Sequence, residues 1–324
     1  MEQIIALALE NLRSPMVLFF ILGVGAAILR SNLEIPQAIA RGLAIFLMLA
    51  IGFKGGAAVA LHGPDLRLVF TLLSAAALSL LFPLFANALL RRFAAVPSID
   101  AAAIAAHYGS ISVVTLAVAI QALTELGLDY EGYIVAAAAV MEFPAIVSGL
   151  WLAYRYAKAG SSDTSNTLRH VALNSSIVVL VGSFTIGWVS GEKGLAEISP
   201  FIVDPFKGVL CLFLLDMGLV AGRGLSERGR IIGPKTIILA IVLPLCSAAI
   251  AAVLTRLLGL SIGGSALFIT LAASASYIAV PAAMRLALPD ARPSLYLTMT
   301  LGITFPFNLM LGIPLYIALA QRIH

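Results

Sequence analysis

Two stretches of the chain interrupt apolar surroundings with small hydroxyl residues, and their composition suits recognition of a small oxyanion. The first reads A-A-H-Y-G-S-I-S-V-V-T, from Ala105 to Thr115, and the second A-A-S-A-S-Y-I-A-V-P, from Ala272 to Pro281. Gly109, Ser110, Ser112, Thr115, Ser274 and Ser276 are the candidate substrate-binding residues. Their hydroxyls can hydrogen-bond a planar oxyanion without a fixed positive charge. A helix restarting near Ser112 or Pro281 would add free N–H groups and a partial positive charge. Proline 281 lacks the backbone donor and disfavours helix at Val280, so the second stretch is predicted to break just before it. The competing reading is that these small residues only permit close helix packing.

Glu142 and Asp216 are acids in the body of apolar segments, where an ionisable group is costly without a partner or an ion. A carboxylate beside the carbonyls of a broken helix is a candidate site for sodium or a proton. Thr304, which matches Glu142 in position in the other half of the chain, and Asn308 complete the candidate ion-coupling set. Structural pairing of either acid with Lys54 or Arg41 is the alternative. His107 could carry a proton, although a buried histidine more commonly makes one fixed hydrogen bond. Asn174 is a further candidate for inter-helix hydrogen bonding. Cys211 and Cys246 have neither metal-type spacing nor disulfide context. No Ser-His-Asp order, His-Glu-x-x-His or phosphate loop is present, so nothing in the motifs points to an enzyme.

These residues need long apolar elements around them, and the composition supplies them. Of 324 residues, 61% are hydrophobic and 11% charged, against about half and about a quarter in a soluble domain. The class is an all-α integral membrane protein. Ten apolar spans are predicted, at about 15–29, 36–61, 66–90, 99–124, 131–157, 168–190, 199–222, 233–258, 263–287 and 294–320. Each approaches or exceeds the ~20 residues of a membrane-crossing helix. The polar stretch K-A-G-S-S-D-T-S-N, Lys158 to Asn166, reads as a linker dividing the chain into 1–158, 159–166 and 167–324. The net charge of +4 comes from basic residues placed singly at span ends rather than clustered on a nucleic-acid-binding face. Twelve of the 20 Lys and Arg fall on the side opposite the termini, six on the terminal side and two, Arg41 and Lys54, within a span. The excess places the linker in the cytoplasm and both termini outside.

The halves also repeat weakly. His107–Ser112 aligns with Ser274–Ala279, Glu142-Phe143-Pro144 with Thr304-Phe305-Pro306, and the glycine-rich end of span two, Gly52 to Gly56, with Gly218 to Gly222 in span seven. With five spans in each half, the second copy must insert upside down, so the expectation is two inverted five-helix repeats with broken helices four and nine.

In these residues the chain resembles the sodium-dependent bicarbonate transporters of the cyanobacterial SbtA type. The matching stretches are I-G-F-K-G-G (Ile51 to Gly56), G-S-I-S-V-V-T (Gly109 to Thr115), M-E-F-P-A (Met141 to Ala145), A-A-S-A-S-Y-I-A-V-P (Ala272 to Pro281) and L-P-D-A-R-P-S (Leu288 to Ser294). The resemblance implies ten helices, a homotrimer, sodium-coupled bicarbonate uptake at the broken helices, a bacterial inner-membrane location and a small PII-like cytoplasmic regulator. Against the family pattern, Val113 and Val114 replace a glycine and a serine, Tyr277 stands at an acidic position, and Glu142 replaces an aspartate. Three functions stay open at this point: a sodium-coupled small-anion symporter, a signalling or scaffold protein that keeps the transporter fold, and a sodium symporter for a larger organic anion.

Overall fold

A computed structural model describes residues 13–62, 65–156, 175–228, 233–277, 280–281, 284, 288 and 290–324. Among these the chain is helical, with no strand. The elements are α1 Pro15–Ile28, α2 Gln37–His62, α3 Leu66–Phe93, α4 Ser98–Gly109, α5 Val113–Glu125, α6 Ile134–Tyr156, α7 Ser175–Ile202, α8 Phe206–Arg228, α9 Pro234–Leu258, α10 Ile262–Ala272 and α11 Pro293–Ile323. The predicted linker and Asn174 lie outside the described residues.

Local chemistry sets most of the ends. Ser14, Asp65 and Ser261 each turn a side-chain oxygen onto a first-turn N–H of α1, α3 and α10, which satisfies a donor that the helix itself cannot. Pro15 and Pro234 sit in the first turn of α1 and α9, where a missing N–H costs nothing. Among the described residues, α2, α3, α6, α9, α11 and the α4–α5 run are each long and apolar enough to cross a membrane. The bent pair Val181–Ile202 and Phe206–Arg223, at 54°, makes a seventh if it is one span. Helices α1 and α10 are shorter and apolar.

The sixth and seventh predicted spans differ from the structure. Glu192 and Lys193 read as a loop, whereas helix resumes beyond a kink at Gly191 (φ 58°, ψ −152°) and runs on to Ile202. The residues beyond the kink are held against α2, with Phe201 edge-on to Phe46 at 5.5 Å between ring centres.

Two helix pairs approach through glycine. Helix α1 packs along α8 and α2 along α7. A methyl group added at Gly23 would run into the Leu215 carbonyl and stand 2.9 Å from the Leu219 nitrogen, and one added at Gly218 would meet the Phe20 carbonyl. Across α2 and α7, a methyl on Gly56 would meet the Phe184 carbonyl, and one on Gly187 the Phe53 carbonyl. These contacts are backbone against backbone, the close approach that small residues allow between membrane helices. Helices α4, α5 and α10 are enclosed by the rest: Asp100 to Gly109 and Gly263 to Ala272 are buried throughout. Apolar side chains on the outer faces of α3 and α9, among them Phe70, Leu73, Leu81, Phe85, Ile238 and Val253, are exposed. A bilayer is the solvent that suits those faces.

Candidate functional site

The two interrupted helices meet. Helix α4 ends at Gly109, the backbone is extended at Ser110 and Ser112, and α5 starts at Val113. Helix α10 ends at Ala272, and the chain is non-helical from Ala273 to Tyr277 before Val280 and Pro281 are helical again. The second break therefore lies earlier than the proline. Pro281 sits where a helix restarts, a place in which proline needs no N–H partner.

The exposed backbone groups of each break are satisfied partly by the other. The Ser112 N–H donates to Ser274 Oγ at 2.9 Å, and the Ser276 N–H donates to the His107 carbonyl at 2.9 Å. That carbonyl is one of the last four of α4 and has no partner within its own helix. Ser112 Oγ accepts from the Thr115 N–H at 3.0 Å, capping α5, and donates to the Tyr277 hydroxyl at 2.8 Å. The Thr115 hydroxyl is also within reach of that phenol. Ser274 Oγ donates to the Leu271 carbonyl at 2.7 Å, and Ser276 Oγ accepts from the Val280 N–H at 3.4 Å. All six predicted substrate residues thus belong to one buried crossing, and its serine hydroxyls are bonded within the protein.

Gly109 has a packing role there. A methyl at this position would collide with the Pro83 ring and lie 2.7 Å from the Ser79 carbonyl oxygen. Proline 83 cannot bond back to Ser79, four residues earlier, and the end of α4 seats against this stretch of α3.

The predicted ion-coupling residues divide into three places. Glu142 on α6 is buried and accepts from Ser110 Oγ at 2.8 Å, which attaches it to the first break. The preceding carbonyl, of Met141, accepts from Ser79 Oγ at 2.5 Å. Thr304 donates to the Ala240 carbonyl at 2.6 Å and, in that arrangement, accepts from the Tyr108 hydroxyl at 2.7 Å. The Ala240 carbonyl is the one that Pro244 leaves without a helical donor, so Thr304 repairs the α9 ladder. Asn308 Nδ2 donates to the Ala273 carbonyl at 2.8 Å, and its Oδ1 accepts from Tyr316 OH at 2.8 Å. Thr304 and Asn308 lie in two π-wound stretches of α11, Thr298–Thr304 and Asn308–Gly312. Asp216 is buried on α8, and no hydrogen bond or ion pair joins it to the crossing among the described residues. Neither acid pairs with Lys54 or Arg41. Lys54 instead sits 5.8 Å from the centre of the Phe206 ring, in cation–π range.

His107 has the fixed hydrogen bond expected of it, since Nδ1 stands 2.6 Å from the Ala103 carbonyl and must carry the proton. Its ring is fully buried against Tyr296 at 4.6 Å, and Nε2 has no protein partner among the described residues. In the neutral ring Nε2 is a lone acceptor, satisfied only by an O–H or N–H donor.

One ion pair escaped the sequence reading. Asp100, in the first turn of α4, accepts from the Arg292 backbone N–H at 2.8 Å, from its Nε at 2.9 Å and from a terminal nitrogen at 2.7 Å. Arg292 immediately precedes α11, so this clamp joins the entrance of the first broken helix to the start of the last one. The signal was present as Asp at one helix start and Arg at another, 192 residues apart; only the fold brings them together. Asp100→Ala is expected to lower stability by about 1–2 kcal/mol, discounted because the Arg292 side chain is half exposed. The thermal midpoint of purified protein in detergent measures it, and an unchanged midpoint would show that the clamp contributes nothing.

The chain matches the family described as the Na+-dependent bicarbonate transporter superfamily over residues 15–321. No curated protein matches it.

Proposed function

Because the chain belongs to the Na+-dependent bicarbonate transporter superfamily, we propose that it is a secondary active transporter taking up bicarbonate, or another small anion, with sodium by alternating access. The observation that carries this reading is the crossing of two interrupted helices at Ser112, Ser274, Ser276 and His107. Interrupted backbone at membrane depth is tolerated only inside protein or along a water-filled path, and paired interruptions are how many transporters build a midplane site. The start of α5, capped by Ser112, directs partial positive charge to the crossing. A bicarbonate ion entering there would exchange the internal serine bonds for its own. Sodium would take the Glu142 carboxylate and Ser110 on one side. Thr304 and Asn308, which already hold backbone carbonyls in place, would complete the coupling machinery on the other.

Ten spans in two inverted repeats, 1–158 and 167–324 joined by the cytoplasmic linker 159–166, are the topology that goes with this mechanism. Two features support it. The glycine contacts exchange reciprocally, span one with seven and span six with two. Pro83 and Pro244 lie inside spans three and eight; the carbonyl freed by Pro244, of Ala240, accepts from Thr304, and the one freed by Pro83, of Ser79, faces the end of α4 at Gly109. The basic-residue excess supports both termini outside, and a bacterial inner-membrane location follows from the resemblance. A homotrimer and a PII-like regulator follow from the resemblance alone.

Uptake of labelled bicarbonate into proteoliposomes, with and without an inward sodium gradient, is the test. Sodium-driven accumulation is expected. In the same assay Ser112→Ala together with Ser276→Ala should raise the half-saturating bicarbonate concentration about 10–100-fold, the effect of losing a hydrogen bond to a charged ligand. A scaffold protein with a transporter fold is the second reading, favoured by the internal bonding of the serine hydroxyls. It predicts no accumulation under any gradient.

A further inference from the structure

We propose that the groove between the end of α3 and the start of α9 binds an anionic phospholipid of the inner leaflet. Its walls are Leu89, Phe93, Ile238, Leu239 and Val242, its mouth carries Arg92 and Lys235, and its volume is about 440 Å³. No carboxylate lines it among the described residues. Arg92 and Lys235 are exposed, and neither has an ion-pair or hydrogen-bond partner among the described residues. Two unpaired cations at the head of an apolar channel match the two parts of one molecule, a phosphate headgroup and an acyl chain. Basic pockets between membrane helices on the cytoplasmic side have this chemistry. The start of α9 faces the same end: Pro234 has no N–H and the Thr236 and Ile237 N–H groups donate to the Gly233 carbonyl, so of its first turn the Lys235 N–H is the donor without a partner among the described residues.

Depth agrees with this occupant. Arg92 and Lys235 fall on the side that carries twelve of the basic residues, the side assigned to the cytoplasm, where anionic lipids make the surface potential negative. Phe93 and Ile238, more than half exposed, lie next to the cations, and Val242 is two helical turns deeper than Lys235. An acyl chain running from headgroup level toward the bilayer centre would follow that sequence. A free phosphate would use the cations and leave the apolar wall bare.

The test uses the full chain purified in neutral detergent. Native mass spectrometry counts retained phosphatidylglycerol against phosphatidylcholine of the same acyl length, with glycerol phosphate as a competitor. Preferential retention of phosphatidylglycerol is expected, about 30-fold weaker in the variant Arg92→Gln plus Lys235→Gln. Val242→Trp, which fills the groove and leaves both cations, should also weaken retention. Equal retention of the two lipids, a double variant that binds like the parent, or displacement by glycerol phosphate would each overturn the proposal. A change of oligomeric state in the double variant would do so too, by assigning the groove to a second copy of the chain.

Discussion

Replacing Glu142 with glutamine is expected to leave a folded protein whose uptake no longer responds to a sodium gradient. Glutamine keeps the shape and an oxygen that accepts from Ser110 Oγ, now at 2.8 Å from the carboxylate. The crossing should therefore survive. What disappears is the negative charge, and a hard cation stripped of water is held chiefly by the charge of its oxygen ligands. Loss of groups that merely support a metal ligand costs about 10–100-fold in affinity, so loss of the charged ligand itself should raise the half-saturating sodium concentration by about 100-fold or more. Counterflow exchange of bicarbonate at equal sodium on both sides separates coupling from folding, because a folded but uncoupled protein still exchanges. If the glutamine variant accumulates bicarbonate with the parent's sodium dependence, Glu142 is not the coupling carboxylate. Asp216→Asn is the informative comparison, since Asp216 is not joined to the crossing and its removal should leave sodium dependence in place.

The largest structural effect is expected at Gly56. Any side chain there meets the Phe184 carbonyl and stands 2.6 Å from the Trp188 nitrogen. Backbone cannot swing aside as the end of a lysine can, so α2 and α7 must separate along their whole contact. Overpacking of a tight interface typically costs about 1–3 kcal/mol; leucine at this site should reach or exceed the upper end because no side chain is available to repack. The expected result for Gly56→Leu is loss of monodisperse protein on size exclusion, or a strongly lowered thermal midpoint. Gly25→Ala is the control. Nothing lies within 4 Å of the added methyl, and alanine is the better helix former by up to about 1 kcal/mol, so its midpoint should hold or rise.

Much of this architecture was legible in the sequence because membrane helices announce themselves by length, apolarity and end chemistry. The first span, read as 15–29, is helical over Pro15–Ile28, and the eighth, read as 233–258, over Pro234–Leu258. The first break was visible in Gly109 and the flanking serines. For the second, the helix expected to restart near Pro281 is there, since Val280 and Pro281 are helical, but the non-helical backbone begins as early as Ala273, further back than the single turn over which a proline acts on a helix. Charges at Glu192 and Lys193 hid the continuation of α7, since a helical piece beyond a kink at a membrane surface keeps polar residues without unwinding. The site was legible as a list of residues but not as a set of contacts. Asp216 and Glu142 look equivalent as intramembrane acids, yet only Glu142 reaches the crossing. Asp100 and Arg292 look like two unrelated terminal charges until the fold closes them.

The two π-wound stretches of α11 give that helix slack. In a regular α-helix each residue adds about 100° of azimuth and about 1.5 Å of rise. A π turn holds one residue more than an α turn does, so moving it along the helix by exchanging hydrogen bonds turns the intervening side chains about the axis while the ends barely translate. Thr304 and Asn308 lie inside those stretches, gripping the Ala240 and Ala273 carbonyls. The last helix is thereby geared for rotation in place: it can release or re-engage the two carbonyls without lengthening, and without disturbing the Arg292 clamp at its entrance.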